Sequence, residues 1–280
     1  MTMDMASIAV ASVFVLFVAL EILLGRFLHR EAARRSDVIL DVGSNILVPL
    51  VILPLVLTAS HGLAEAMFPG SEGMLSGWPW WAMFGVLLVA DDMTQYWWHR
   101  LSHTSWLYPL HRAHHSAGYM SVRIVYRNNL IYYAMMPGIW LSGILVYWGF
   151  LPVYLVYLVL KMAVVISAHS SVPWDERLLQ WRWSRPLMWV VERLISTPTT
   201  HAAHHGLHEA DGATFYKGNF GNFLFLWDVI FGTAKITRRR PESFGIEEMA
   251  PATWFEELVW PLRQLRAGFS RSLRRGREPS

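Results

Sequence analysis

Histidine is the residue type whose number and spacing in this sequence could do chemistry. The chain of 280 residues contains 12 histidines. Ten of them fall in four short segments, namely His99 and His103; His111, His114 and His115; His169; and His201, His204, His205 and His208. Spacings of three or four residues place imidazoles on one face of a helix, about one turn apart, where they can bind the same metal ion. We interpret the two remaining histidines, His29 and His61, as ordinary polar side chains.

A cluster of imidazoles is most simply explained by bound metal. Clustered imidazoles would repel one another if protonated and would need partners if buried. The sequence contains no cysteine, which excludes disulfides, thiolate zinc sites, iron–sulfur clusters and a cysteine nucleophile. Any metal must therefore be bound by histidine or carboxylate. Because a closed zinc site needs only four ligands, the number of histidines is sufficient for two metal ions with open positions.

The elements that carry these histidines are predicted to lie in a membrane. Hydrophobic residues make up 54% of the sequence and charged residues only 16%. Five apolar runs are long enough, at about 1.5 Å per residue, to cross a hydrocarbon core of about 30 Å. They are residues 8–24, 42–60, 78–98, 130–147 and 151–168. We therefore predict an all-α integral membrane protein with about four to five transmembrane helices and a cytoplasmic, histidine-rich helical cap. The last two runs should form a tight helical hairpin.

The distribution of basic residues predicts the orientation of these spans. In the five-span arrangement, every Lys and Arg except Lys161 lies on the same side as the ten clustered histidines. By the positive-inside rule, the N-terminus is outside and the histidine segments and C-terminus are cytoplasmic. The first span lacks a basic leader and is expected to be retained. The absence of an endoplasmic-reticulum address and the excess of Arg over Lys favour a bacterial inner membrane.

We interpret residues 1–280 as a single membrane domain with a catalytic region at 91–233 and a basic tail at 263–280. The net charge of +3 is too small for a nucleic-acid-binding protein unless it is strongly polarised, so no nucleic-acid partner is expected. Arg-rich and Trp-rich residues at 180–193 are typical of amphipathic helices at a membrane surface.

Polar residues in the third and fifth spans are candidates for support of the metal site. Asp92 and Tyr96 share a helical face with His99, so they could orient the metal ligands through hydrogen bonds. Lys161 is predicted at nearly the same membrane depth as Asp91 and Asp92. We expect it to form a buried ion pair with one of them.

The histidine segments resemble the histidine boxes of a known superfamily. HRLSH at 99–103, HRAHH at 111–115 and HAAHH at 201–205 are similar to the three boxes of the fatty acid hydroxylase and sterol desaturase superfamily of membrane di-iron enzymes. The likeness extends to YWWHR at 96–100, TPTTH at 197–201, NFG at 219–221 and LWDVIFGT at 226–233. It implies that the eight box histidines bind metal: His99, His103, His111, His114, His115, His201, His204 and His205. It also implies that His169 is a ninth ligand, whereas His208 could be a ligand or a supporting residue.

The resemblance implies an oxidoreductase with two iron ions and O2 as co-substrate. The substrate would be a C–H bond of a membrane lipid, in an acyl, isoprenoid or sterol group. We favour hydroxylation, with desaturation of a lipid or sterol as the alternative. Electrons are expected from a separate carrier, such as a cytochrome b5-like protein, a ferredoxin or a flavoprotein reductase, because the sequence lacks a dinucleotide-binding fingerprint.

Two functions of other classes compete with this interpretation. A zinc-dependent membrane hydrolase would activate water, but the sequence contains no HExxH motif. A metal transporter would place its ligands near the bilayer midplane, whereas these histidines are predicted at one boundary.

Overall fold

The computed structural model of the chain describes residues 1–28, 34–249 and 252–260. All regular secondary structure in these ranges is helical, as predicted. In chain order the helices are α1 (Met3–Leu23), α2 (Arg35–Met67), α3 (Trp80–Leu87), α4 (Thr94–Ser102), α5 (Tyr108–His115), α6 (Leu130–Ala134), α7 (Pro137–Leu145), α8 (Leu151–His169), α9 (Trp174–Gln180), α10 (Arg185–Leu194), α11 (Pro198–His205), α12 (Leu226–Ile230) and α13 (Trp254–Val259). His29 and the predicted basic tail at 263–280 lie outside the described residues.

Three segments among the described residues are long and apolar enough to cross a membrane. They are α1, α2 and Leu130–His169, which comprises α6, α7 and α8. These segments contain four of the five predicted spans. The other predicted span, 78–98, forms α3, a π-helical turn at Leu88–Met93 and the start of α4, and is not among the three. The chain is thus a membrane protein by helix length and composition, while the count of four to five spans and the cytoplasmic cap stay predictions.

The third of these segments reverses direction at Gly149. This residue has φ of 106°, a backbone conformation that glycine adopts without steric cost. Gly138 before the reversal and Lys161 after it both contact Asp91. Helices α7 and α8 therefore run antiparallel, which confirms the predicted hairpin.

Close packing of small residues joins the hairpin to α2. Helix α7 packs against the second half of α2, and α8 packs against α1 and α3. A Cβ atom at Gly143 would overlap Ser60 Oγ, so α7 and α2 approach as closely as small residues permit.

A buried ion pair joins α8 to the π-helical turn between α3 and α4. Lys161 Nζ lies 2.7 Å from Asp91 Oδ2, and both side chains are buried. The predicted lysine–aspartate pair is therefore confirmed, with Asp91 as the partner. Each charge neutralises the other, because an unpaired charge buried at this position would have a large free-energy cost of desolvation.

Glu21 anchors two loops to the end of α1. Its carboxylate is fully buried and accepts hydrogen bonds from Ser121 Oγ (2.6 Å), Val122 N (3.1 Å), Ser170 Oγ (2.9 Å) and Ser171 N (2.9 Å). Charge-assisted hydrogen bonds of this kind are the stronger ones in proteins. The chain after α5 and the chain after α8 are thus held to one point.

Arg127 performs the corresponding function at the start of α2. Its guanidinium is buried and donates to Asp37 Oδ1 (2.8 Å), Asp41 Oδ1 (2.9 Å), Ala113 O (2.9 Å) and Ser116 Oγ (2.7 Å). The planar guanidinium can bind several acceptors at once because its five N–H groups point in fixed directions. Arg127 therefore ties the last turn of α5 to α2.

Helix α10 has two contrasting faces. It buries part of one face, whereas Leu187, Val190 and Leu194 are exposed at spacings of three and four residues. Just before it, the exposed rings of Trp181 and Trp183 stack with centroids 5.5 Å apart. The amphipathic character predicted for this region is confirmed, and its contact with the membrane surface stays a prediction.

Candidate metal centre

Helices that start or end at a histidine box carry the clustered side chains. Helix α4 carries His99 and ends just before His103, α8 ends at His169, and α5 and α11 carry three histidines each. The start of α11 follows from its sequence, because Thr197 caps the first turn and Pro198 occupies the first helical position. The TPTT run thus places the third box on a helix.

Nine of the ten predicted histidines form two groups. The five-histidine group is His99, His103, His111, His115 and His204, and the four-histidine group is His114, His169, His201 and His205. Within each group the possible ligand atoms all lie within 4.8 Å of one another. Every member is buried except His103, which is partly buried.

The hydrogen bonds of the five-histidine group leave lone pairs that face one another. His99 Nδ1 donates to Phe220 O and His204 Nδ1 donates to Gly218 O, both at 2.7 Å. A neutral imidazole carries one proton, so the Nε2 atoms of both rings hold lone pairs. These two Nε2 atoms lie 3.0 Å apart. Two facing lone pairs cannot bond to each other, and a shared cation would stabilise them.

The four-histidine group is built in the same way. His114 Nδ1 donates to Arg127 O (3.0 Å) and His169 Nδ1 to Val165 O (2.7 Å). Their Nε2 atoms lie 3.4 Å apart, and His201 Nε2 lies 2.9 Å from that of His169. Neighbouring nitrogen ligands with metal–nitrogen bonds of about 2.1 Å are separated by about 3.0–3.4 Å, so both groups have the spacing of a coordination shell.

Burial keeps these imidazoles in the form that binds metal. In α5 and α11 burial lowers the pKa well below the ordinary histidine value, and the proximity of other imidazoles lowers it further. The residues affected are His111, His114, His115, His201, His204 and His205. In addition, His103 Nε2 is buried with no hydrogen-bond partner among the described residues. A neutral nitrogen without a partner beside four other imidazoles fits a metal ligand.

Adjacent histidines in the second and third boxes belong to different groups. His115 and His204 lie in the five-histidine group, and their neighbours His114 and His205 lie in the four-histidine group. The rings of His115 and His205 stack with centroids 4.4 Å apart. The two groups are therefore side by side, which is the arrangement of a centre with two metal ions.

Asp92 and Tyr96 make no direct hydrogen bond to a clustered histidine. Asp92 accepts from Leu224 N (3.2 Å) and Trp227 Nε1 (2.7 Å). Tyr96 OH lies 2.9 Å from Thr233 Oγ1. Both residues bind the segment that follows the third box, so any effect on the histidines passes through that segment.

His208 lies in neither group. Its side chain is half exposed, with Nδ1 2.8 Å from the Glu247 carboxylate. The structure therefore does not bring this residue to the other nine, and the ligand role considered from the sequence has no geometric support.

Sequence reasoning did not identify several residues that hold the histidines. Arg127 supplies a carbonyl to His114, and Asn128 Nδ2 lies 3.2 Å from His111 Nδ1. Asp228 binds the loop whose carbonyls hold His99 and His204. The only signals for that loop were the NFG and LWDVIFGT runs, because a backbone carbonyl has no side-chain signature.

A family model and several curated relatives match this chain. The model of the fatty acid hydroxylase family matches residues 84–233. The chain is 25% identical over 166 residues to alkylglycerol monooxygenase from Danio rerio, covering 56% of this chain and 31% of the relative. It is 23% identical over 215 residues to alkylglycerol monooxygenase from Xenopus tropicalis, covering 71% and 41%.

A third relative is named for a different activity. The chain is 24% identical over 205 residues to a very-long-chain aldehyde decarbonylase from Oryza sativa subsp. indica, covering 65% of this chain and 28% of the relative. The chain thus spans less than half the length of each of these three relatives, and no solved structure matches it significantly. The matched family region contains all nine histidines of the two groups, and on this match the chain belongs to the fatty acid hydroxylase family.

Proposed function

We propose that this protein is an O2-dependent oxidoreductase that uses two iron ions to hydroxylate a C–H bond of a membrane lipid. The observation that carries the proposal is the division of nine buried histidines into adjacent groups of five and four. Two iron ions bound there would supply the activation of O2 that attack on an unactivated C–H bond requires.

The chain itself would contribute positioned lone pairs and a dry environment. Backbone carbonyls hold the Nδ1 protons of at least four rings, which directs the Nε2 lone pairs inward. Burial of the imidazoles limits the access of water, which would otherwise compete for open metal positions. Iron can accept six ligands, so ions held by five and by four imidazoles would keep open positions for O2.

The composition of the groups favours iron over zinc. Structural zinc sites have four ligands and catalytic zinc sites have three protein ligands, whereas one group here has five histidines. A zinc hydrolase is therefore the weaker candidate. A metal transporter is disfavoured because His169 ends α8 and His103 follows the end of α4, away from the middle of the helices.

The apolar surroundings of the five-histidine group are consistent with a hydrocarbon substrate. The ring of Tyr132 stacks on His111 with centroids 4.8 Å apart. Tyr132 belongs to a buried cluster with Trp98, Leu110 and Met136. An apolar environment of this kind is compatible with an acyl, alkyl or isoprenoid chain near the metal position. We place hydroxylation ahead of desaturation because a second hydrogen abstraction makes a stricter demand on substrate placement.

The proposed setting is a bacterial inner membrane with the metal centre at the cytoplasmic face. Electrons would come from a separate carrier, since the sequence contains neither cysteine for an iron–sulfur cluster nor a dinucleotide-binding fingerprint. The basic residues predicted on this face could attract an acidic carrier.

The experiment is to incubate membranes containing the protein with ¹⁸O-labelled O2 and an electron donor, and to analyse extracted lipids by mass spectrometry. We expect a lipid product that retains the label, and no such product from a matched His204→Ala variant. An unlabelled product lighter by two hydrogens would establish desaturation instead. Active protein that contains zinc and no iron would disprove the di-iron proposal.

A further inference from the structure

We infer that Asp228 is the positioning residue of the five-histidine group, an inference that rests on the proposed metal-binding function. Asp228 lies on α12, is fully buried and makes no hydrogen bond to any described histidine. Its carboxylate accepts from Phe220 N (2.8 Å), Gly221 N (2.6 Å) and Thr233 Oγ1 (2.6 Å).

The loop that Asp228 binds is the loop that holds two ligands. Gly218 O and Phe220 O accept the Nδ1 protons of His204 and His99. The Asp228 carboxylate binds the N–H groups of Phe220 and Gly221, which lie on either side of the Phe220 carbonyl. It therefore fixes the carbonyl that orients His99. Both histidines belong to the five-histidine group, so this support acts on one metal position.

The loop adopts a conformation that depends on particular residues. Asn219 has φ of 59°, in the left-handed region that asparagine adopts more readily than most side chains. A Cβ atom at Gly221 would lie 2.8 Å from Asp228 Oδ2, so glycine is required for the carboxylate to approach. The Asn219 amide adds bonds to Thr200 O and Lys235 O, both at 2.9 Å.

The four-histidine group depends on different anchors. His114 is oriented by Arg127 O and His169 by Val165 O. The Arg127 guanidinium is held by α2, as described above, and Val165 lies within α8 itself. Loss of the Asp228 carboxylate should therefore affect one metal position and spare the other.

The test is a Co²⁺ titration of the metal-free, full-length protein in detergent micelles, with visible absorption as the measure of occupancy. The wild-type protein should bind two ions. In Asp228→Asn, binding at one position should weaken by roughly 10–100-fold, the typical effect of losing a residue that supports metal ligands. The weakened position should be the one that His204→Ala removes.

Asp211→Asn is the matched control. Asp211 accepts from Ala213 N (2.8 Å), Thr214 N (2.7 Å) and Thr214 Oγ1 (2.9 Å), two backbone donors and one threonine as for Asp228. None of the carbonyls in its turn accepts from a clustered histidine, so both Co²⁺ affinities should be unchanged.

If Asp228→Asn does not yield a monodisperse protein, Thr233→Val decides the question. This substitution keeps the Asp228 carboxylate but removes one of its hydrogen-bond donors. Co²⁺ binding at the same position should weaken by a smaller factor. Wild-type affinities at both positions in the deciding variant, or equal weakening at both, would overturn the inference. A wild-type protein that binds no Co²⁺ or iron would instead overturn the proposed function.

Discussion

At the scale of single residues, the paired histidines of the second and third boxes divide between the two groups. Helical geometry explains this division, because consecutive residues on a helix point about 100° apart. His114 and His115 thus serve different positions from one turn of α5. His204 and His205 do the same from α11. Each pair of adjacent histidines therefore contributes one imidazole to each group.

This division predicts that neighbouring substitutions remove different metal ions. His204→Ala should leave the four-histidine group intact, whereas His205→Ala should leave the five-histidine group intact. Each variant should contain about half of the wild-type iron, and both should lose turnover because the chemistry needs both ions. Elemental analysis and the labelled-oxygen assay measure the two effects. His208→Ala is the control and should keep full iron and activity. Loss of all iron in either box variant would mean that the groups are not separate sites.

Spacing indicated the eight box histidines and the resemblance implied His169, but neither predicted the position of His208, and the reason is local. Helix α11 ends at His205, and Gly206 continues in an extended conformation with φ of −62° and ψ of 150°. The rule that residues three or four apart share a face holds only within a helix. His208 therefore leaves the face that its spacing suggested.

The same limitation explains Asp92. The sequence placed it two α-helical turns before His99, but Leu88–Met93 is π-helical. A π-helical turn contains one residue more than an α-helical turn. The residues before it are therefore rotated about the helix axis relative to the residues after it. Asp92 consequently points to the segment at 224–227.

At the scale of elements, the ion pair between α8 and the π-helical turn is expected to be a main source of packing specificity. Lys161→Met would leave the Asp91 carboxylate buried without its partner, which typically costs about 3–5 kcal/mol. The measurement is chemical unfolding in micelles, followed by tryptophan fluorescence.

The control for this prediction removes both charges. Lys161→Met combined with Asp91→Asn should recover much of the lost stability, because no uncompensated charge remains. If the single variant is as stable as wild type, the pair contributes nothing measurable. If the double variant is less stable than the single one, the charges are not the cause.

Helices and the hairpin could be predicted from apolar runs and Gly149, because both depend on local sequence. The number of membrane spans stays a prediction. The 78–98 run carries Asp91 and Asp92, which are satisfied by Lys161 and Trp227 from distant parts of the chain. A hydropathy scale counts both aspartates as unfavourable in a membrane span. It does not include the partners, distant in sequence, that compensate for their burial.

At the scale of the whole molecule, orientation is testable because the sequence contains no cysteine. Single cysteines at Glu72 and Lys217 would report on the two sides predicted from charge, and both residues are exposed. A membrane-impermeant thiol reagent should label Glu72→Cys in intact cells and Lys217→Cys only after the membrane is opened. Labelling of both in intact cells would contradict the predicted orientation of the cap.

The division of histidines among helices also has a consequence for biosynthesis. The chain is made from its N-terminus, and α4 and α5 together with His103 supply four of the five imidazoles of the five-histidine group. The four-histidine group has only His114 until α8 and α11 have been made. Most of the five-histidine group is thus synthesised before the hairpin, whereas His169, His201 and His205 of the four-histidine group come at its end or after it. Both groups are completed only by α11, so stable binding of either metal ion would follow the synthesis of the third box.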